Sequence, residues 1–288
     1  MGHNVWSHLR AHYGVSGNLK YYSRSEVLTI QSESGVQQGD PLGSQLFALA
    51  IHPLLLDIGA RHPEVFISAY ADNCIITGPL SKVQAAVHDY DTTLHRAGLS
   101  LNPSDSAVFI PSWQSLTPSE LLAQQSVTQD PDGHLHLPMS SNTTFPLKLD
   151  GITVLGCPIG TKEFCDHSIQ TVIGKVERDL NQLRHFPHLH QRIKLAIYCC
   201  NTRITYLLRA VPLAIALPRL SAYDSMFDNF MAHTLAFEED YLHSAYSQSY
   251  SRALKQCRLG IKQGGMGLTS AVMVAPAALH VALREFLT

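Results

Sequence analysis

One acidic residue of this sequence stands where it could hold a metal ion. Two runs rich in β-branched and aromatic residues, 65–70 and 74–77, are separated by the pair Asp72-Asn73. Because Asp and Asn tolerate tight-turn conformations, the pattern predicts a β-hairpin with Asp72 in its turn. A carboxylate at the tip of a hydrophobic hairpin can bind a divalent cation, since the strands behind it anchor the turn. The alternative is an ordinary hairpin turn, for which Asp and Asn are preferred residues.

A second group of residues could bind nucleic acid. The whole chain has a net charge of −2, but residues 175–209 contain seven basic and two acidic residues, a net charge of +5. Lysine and arginine provide most of the affinity for phosphate backbones, so this segment is a candidate nucleic-acid interface. A solvated helix face is the alternative. The seven basic residues are Lys175, Arg178, Arg184, Arg192, Lys194, Arg203 and Arg209.

The elements that must position Asp72 form an α+β pattern. A helix is predicted over residues 44–58, before the hairpin, and another from Leu80 to a stop at Gly98. Together with the strands they predict a small antiparallel sheet with packed helices. Polar residues 126–147, marked by proline and glycine, are predicted to form a long irregular excursion. Further strands are predicted at residues 19–22, 26–32, 99–101 and 107–110.

The second half of the chain has helical periodicity. Apolar residues recur at helical spacing over residues 164–186 and 190–211, and further helices are predicted within 220–237, 241–258 and 270–286. The sequence therefore predicts two domains, an α+β domain over residues 1–160 and an all-helical domain over residues 161–288.

A glycine-rich segment, GIKQGGMGLTS at residues 260–270, admits two interpretations. It could form a phosphate-binding loop, but the strand and the Lys-Ser/Thr pair of such loops are absent. A tight loop between two helices is the favoured interpretation.

Composition limits the remaining function classes. The sequence has no uninterrupted apolar run of about 18 residues, so we predict no membrane partner. The N-terminal residues lack the apolar segment of a secretory signal, which predicts an intracellular protein. Six cysteines without paired spacing indicate free thiols rather than a disulfide framework, and the histidine spacing does not favour a structural zinc site.

Four ordered segments resemble the reverse transcriptases of non-LTR retrotransposons. GVQQGDPLG at residues 35–43 resembles motif B of that family, and AYADN at residues 69–73 resembles motif C. AGLSLNPSDSAVF at residues 97–109 resembles motif D, and ITVLGCPIG at residues 152–160 resembles motif E. The resemblance implies a partial polymerase palm followed by a helical thumb-like region.

The resemblance also implies roles for individual residues. Asp72 and Asn73 would be the catalytic pair, with Asp72 the ligand of Mg²⁺ in a two-metal nucleotidyl transfer. Gln38, Gly39 and Tyr70 would bind the nucleotide. The partners implied are an RNA template and a DNA primer, held as an RNA–DNA duplex by the seven basic residues between 175 and 209.

Three departures from the family pattern predict impaired catalysis. No motif A aspartate precedes Gly35, so we expect the fingers and motif A to be missing. The second motif C aspartate is replaced by Asn73, and Asp105 stands where the family has a lysine that can protonate pyrophosphate. The alternatives to a truncated polymerase are a non-catalytic protein that binds nucleic acid or a partner, and a decayed genomic copy without a selected function.

Overall fold

The computed structural model describes residues 2–24, 26–33, 35–37, 39–124, 127–141, 143–235 and 247–287. The chain divides into two compact units. Unit 1 comprises Met1–Pro103 and Pro138–Thr144, and unit 2 comprises Ser104–Leu137 and Phe145–Thr288. The connection between residues 138 and 144 belongs to unit 1, and the strands on either side of it extend into unit 2. The boundary between two domains after Gly160 remains a prediction.

The described residues of unit 1 form two hairpins and three helices. The β1–β2 hairpin is antiparallel from Gly17↔Ser32 to Tyr22↔Val27, and the β3–β4 hairpin from Phe66↔Thr77 to Tyr70↔Asn73. The predicted helices and strand pairs of this part are confirmed, except for the strand at residues 99–101, which is absent. The elements are α1 (Gly2–Tyr13), β1 (Gly17–Tyr22), β2 (Val27–Ser32), α2 (Gly43–Arg61), β3 (Phe66–Tyr70), β4 (Asn73–Thr77) and α3 (Leu80–Arg96).

The core of unit 1 is small and holds the β3–β4 hairpin. Ile58 of α2 packs with Tyr90 and Leu94 of α3, and Ile67 and Ile76 of the hairpin pack against this cluster. Because side chains alternate across a strand, only one face of the hairpin can join this core. The α2 and α3 helices therefore support one face of the hairpin.

The α2 helix is also long and apolar enough to cross a membrane, judged by length and composition. Its most apolar 18-residue window has a mean hydropathy of 1.3, and 11% of that window is buried. One such helix is weak evidence for a span, so the prediction that the chain has no membrane partner remains a prediction.

A four-stranded sheet stands where the sequence predicted an irregular excursion. Its strand order is β5-β8-β7-β6, with β5 (Val108–Phe109) parallel to β8 (Thr144–Lys148). In β7 (Leu135–Pro138), Leu135 and Leu137 are buried, as are Phe145 and Leu147 in β8. The excursion predicted over residues 126–147 is wrong, because these alternating apolar residues form a buried sheet face. The strand β6 is Thr128–Gln129, and the short helix α4 is Pro118–Leu122.

A separate hairpin carries the segment that resembles motif E. The strands β9 (Gly151–Val154) and β10 (Cys157–Gly160) pair antiparallel. Its turn residues Leu155 and Gly156 both have positive φ, the geometry of a type I′ hairpin turn. The strands thus form separate sheets rather than the one small sheet predicted, although the α+β class is confirmed.

From Lys162 onward, the described residues form helices and loops without strands. Their core contains the fully buried side chains of Tyr223, Phe227 and Phe230, all from one helix, α8. Between α6 and α7 the backbone forms a π-helix at Ala196–Asn201. The helices are α5 (Lys162–Leu183), α6 (Leu189–Leu195), α7 (Arg203–Leu208), α8 (Leu213–Thr234), α9 (Ser247–Arg258) and α10 (Ala271–Leu287).

Candidate active-site turn and nucleic-acid interface

The β3–β4 turn presents the predicted metal carboxylate. The register pairs Tyr70 with Asn73, which leaves Ala71 and Asp72 as the two turn residues. The sequence interpretation, which put Asp72 and Asn73 together in the turn, is therefore wrong for Asn73, which is the first residue of β4. Ala71 has a φ of 52°, a positive value that residues other than glycine seldom adopt and that two-residue hairpin turns commonly require.

The Asp72 side chain is exposed and close to an amide. The Asn73 Nδ2 donates a hydrogen bond of 3.3 Å to the Asp72 Oδ1. Tyr70 is 69% exposed and lies on the strand face opposite Ile67, which packs into the core. The hairpin thus brings a carboxylate, an amide and a phenol together at an exposed tip.

The turn before α2 contains the predicted nucleotide-binding residue Gly39, whose φ of 89° requires glycine. The backbone amide of Leu42 donates to the Asp40 carboxylate at 2.9 Å, and the Tyr13 hydroxyl donates to the same carboxylate. This bond raises the pKa of Tyr13 above its ordinary value. Gln38 lies outside the described residues. Asp40 and Tyr13 fix this turn and were missed by the sequence analysis, because their contact joins residues far apart in sequence.

The seven predicted basic residues all lie in unit 2. Some already bind a carbonyl or carboxylate of the protein, which we call engaged, and others are exposed and available to bind a ligand. The guanidinium of Arg192 donates to the carbonyl of Phe186, and Arg203 pairs with Asp179. Arg209 forms an ion pair of 2.7 Å with Glu285. Arg184 is half-buried, and its Nε has no partner among the described residues. Lys175, Arg178 and Lys194 are exposed and form no ion pair with any described residue.

The glycine-rich segment is a closed loop between α9 and α10. Its backbone amides are used internally: those of Met266 and Leu268 donate to the carbonyl of Cys257, and that of Gly267 donates to Leu259. The Thr269 amide donates to the side chain of buried Asn201, whose own amide donates back to the Thr269 carbonyl. Because these donors are already paired, they cannot bind a phosphate. This supports the interpretation of a tight loop.

A group of possible metal ligands that the sequence analysis did not find lies in unit 2. Asp130, Asp132 and His134 each offer a ligand atom, and these atoms lie within 4.8 Å of one another. Asp72 belongs to no such group of three among the described residues. The pattern DPDGHLH, with two Asp and two His each spaced by two, is the signal that could have revealed it.

An exposed carboxylate on a hairpin tip, held by a helix-backed strand pair, is an arrangement suited to proteins that use a divalent cation in phosphoryl transfer. The family model for reverse transcriptase (RNA-dependent DNA polymerase) matches residues 7–159. Because this match covers more than half of the 288 residues, the chain belongs to the reverse transcriptase family. The family implies nucleic-acid substrates and divalent metals. Searches of curated proteins and of solved structures gave no match.

Proposed function

We propose that this chain is a non-LTR retroelement reverse transcriptase region that holds an RNA–DNA duplex and does not extend a primer by itself. The observation that carries the proposal is the exposed Asp72, whose carboxylate has the Asn73 amide as its neighbour. A two-metal transfer needs several carboxylates around two cations. The Asp72 turn offers one, so polymerisation would require a further carboxylate beside it.

The residues of the turn fit one weakly held cation. Asp72 would bind Mg²⁺ through its carboxylate, and Asn73 could add its amide oxygen after a rotation that breaks its present hydrogen bond. When bound, Mg²⁺ polarises phosphate oxygens and neutralises their charge. Tyr70, on the exposed face of the hairpin, would contact a primer end or nucleotide, and Gly39 and Gln38 are the other predicted nucleotide-binding residues.

The available basic side chains support duplex binding. Lys175 and Arg178 are three residues apart on α5, so they project from the same face of that helix. Lys194 is an exposed residue of α6. We propose that these three contact backbone phosphates without reading sequence, and that the engaged Arg192, Arg203 and Arg209 contribute less.

Binding can be tested by fluorescence anisotropy with a labelled RNA–DNA duplex over a series of salt concentrations. Each of Lys175→Ala, Arg178→Ala and Lys194→Ala should weaken binding and reduce the slope of log K against log salt by about 1. Lys255→Ala, at another exposed lysine of the helical region, is the matched control and should leave the slope unchanged. Absence of binding at low salt would refute duplex binding, and equal effects of all four variants would refute this assignment of residues.

Catalysis can be tested by primer extension with Mg²⁺ and a primed RNA template. We expect no extension above background from the purified chain. Incorporation of nucleotides that disappears in Asp72→Ala would overturn the proposal that the chain does not polymerise, and would instead assign catalysis to the β3–β4 turn. Incorporation that persists in that variant would indicate a contaminating polymerase.

A further inference from the structure

The hairpin tip between β6 and β7 has a fixed backbone. The amide of Asp130 donates to the carbonyl of His134, and the amide of Gly133 donates to the carbonyl of Asp130, both at 3.0 Å. The Gln129 side chain closes the turn from outside, with a hydrogen bond of 3.0 Å to the carbonyl of Gly133. These hydrogen bonds fix the backbone positions from which the side chains of this turn extend.

Two imidazoles and a carboxylate oxygen converge above this scaffold. The Oδ1 of Asp130 accepts the His134 backbone amide at 2.8 Å, which turns Oδ2 toward the rings. Oδ2 lies 3.1 Å from the His136 Nε2 and 3.4 Å from the His134 Nδ1. The carboxylate of Asp132 completes a group of three ligand atoms with Asp130 and His134, all within 4.8 Å.

One of the ligand–ligand distances already matches a metal coordination shell, and the distances to Asp132 are at most 4.8 Å. Zinc binds imidazole nitrogen and carboxylate oxygen at about 2.0–2.2 Å, so two ligands of a tetrahedral site lie roughly 3.3–3.6 Å apart. The distance of 3.4 Å between Asp130 Oδ2 and His134 Nδ1 falls in this range. The nitrogen ligand also selects the cation, because imidazole suits Zn²⁺ and related transition metals, whereas Mg²⁺ prefers oxygen.

The group is also accessible to a fourth ligand. A pocket of about 530 Å³ is lined by Asp130, His134 and His136, together with residues 146–149; Asp132 is not among its lining residues. Asp132 and His134 are exposed, so their side chains can move to close a shell without disturbing buried residues. The pocket leaves room for water or a small ligand at the metal.

From this geometry we propose that Asp130, Asp132 and His134 bind a divalent transition-metal cation of the Zn²⁺ type. His136 acts as a positioning residue, since its Nε2 is hydrogen-bonded to the Asp130 Oδ2. The site lies in unit 2, uses none of the residues of the Asp72 turn and selects a different class of cation. It therefore does not depend on whether the chain polymerises.

The test uses the full chain, stripped of metal with a chelator. Titration with Co²⁺, followed by visible absorption, should show one equivalent bound in a four-coordinate environment, and Zn²⁺ should displace it while a large excess of Mg²⁺ should not. We expect Asp132→Asn and His134→Ala each to weaken Zn²⁺ binding at least tenfold. His136→Gln should weaken it about tenfold, the low end for a residue that orients a metal ligand.

Control variants separate this site from the other histidines of the chain. His188→Ala and His190→Ala, at exposed histidines of the α6 region, should leave the one-equivalent signal unchanged. Circular dichroism of each metal-free variant checks the fold, and Asp132→Asn keeps the test decisive because that side chain is exposed. Equal affinity of Asp132→Asn, His134→Ala and wild type would overturn the proposal and leave the group as hydrogen bonds between imidazoles and a carboxylate.

Discussion

The two compact units differ in how much apolar surface they bury. Unit 2 encloses the aromatic side chains of Tyr223, Phe227 and Phe230 completely, in a core shared by many helical residues. In unit 1 the cluster that holds the Asp72 hairpin is built on Ile58, Tyr90 and Leu94. The unit that carries the residues resembling polymerase motifs B and C therefore holds its hairpin with a smaller hydrophobic cluster than the helical core of unit 2.

The β1–β2 hairpin of unit 1 buries even less of its apolar side chains than the β3–β4 hairpin does. Leu19, Tyr21, Tyr22, Val27, Leu28 and Ile30 are all at least half exposed. A two-stranded hairpin is marginally stable without a packed face. Family membership is defined by residues 7–159, whereas the packed helical core begins at α5. Recognition of a family from its motifs therefore says little about where the stability of the chain resides.

The largest effect is expected from Phe227→Ala in unit 2. Removing a fully buried aromatic ring should lower the free energy of unfolding of this unit by about 3–5 kcal/mol, because the rigid core cannot close the cavity. Urea unfolding followed by Trp113 fluorescence, in a Trp6→Phe background, reports on unit 2. Met273→Ala, at a residue that is 78% exposed, is the control and should change the free energy of unfolding by less than about 0.5 kcal/mol. A similar loss in both variants would contradict the assignment of the core.

Ile58→Ala tests the smaller core of unit 1. We expect a loss of about 2–3 kcal/mol, the low end for such truncations, because the half-exposed neighbours of Ile58 can move into the space. Hydrogen exchange of α3 peptides should rise, while exchange in α8 stays unchanged. Leu56→Ala, at an exposed residue of the same helix, is the control. Faster exchange in both helices would mean that the two cores unfold together.

Asp224→Asn tests a polar link within unit 2. The Asp224 carboxylate accepts from the Ser270 hydroxyl at 2.6 Å and from the Ala271 amide at 2.8 Å, so it caps the N-terminus of α10. The variant keeps an acceptor but loses the negative charge beside Arg258, and we expect a loss of about 1–2 kcal/mol.

The effect of Asp224→Asn should be read from hydrogen exchange in the first turn of α10. Ser270→Ala removes no charge, but it removes both the hydrogen bond that its hydroxyl donates to Asp224 and the one that it accepts from the Met273 amide. It should therefore also increase exchange in this turn, by about the 1 kcal/mol typical of a lost serine cap, without removing the charge that faces Arg258. An unchanged first turn in Asp224→Asn would show that the cap does not stabilise this helix.

The smallest expected effect is a pH dependence in unit 1. The hydrogen bond from His62 and the charge of Arg61 lower the pKa of Asp89 below its ordinary value. A carboxylate with a lowered folded-state pKa contributes stability that is fully present above its unfolded pKa, about pH 4, and is lost as pH falls through the folded-state pKa. Because Asp89 is one-third exposed, we expect less than about 1 kcal/mol.

Asp89→Asn, compared with wild type by α3 hydrogen exchange between pH 3 and pH 6, measures this contribution. The difference in stability between the two proteins should begin to shrink at about pH 4, where Asp89 of the unfolded chain becomes protonated, and should be lost once pH falls through the lower folded-state pKa. Asp57→Asn, which removes the other carboxylate that pairs with Arg61, is the control, since Asp57 has no bond to His62. A difference that does not vary with pH would contradict the role of the Asp89 charge.

Residue types and their local spacing were sufficient to predict several elements. Apolar periodicity predicted α2 and α3, and the two runs rich in β-branched and aromatic residues around Asp72 predicted the β3–β4 hairpin. The capping box of α4, in which Thr117 and Glu120 each bind the other's backbone amide with a side-chain oxygen, is a local feature of the same kind. These features are set by contacts between residues a few positions apart, so the order of residue types is sufficient to predict them.

Contacts between residues far apart in the sequence are visible only in the folded chain. Val108 pairs in parallel with Leu147 in the four-stranded sheet, where the sequence predicted an irregular segment. That prediction was wrong because proline and glycine interrupt the short runs in which apolar residues alternate. Arg209 is engaged by Glu285, 76 residues away, which no local pattern reveals. The spacing in DPDGHLH indicates that Asp130 and the two imidazoles can meet, but only the folded hairpin shows that Oδ2 of Asp130 faces both rings. Long-range pairing and side-chain orientation depend on packing across the whole fold, and a sequence pattern specifies them only through that packing.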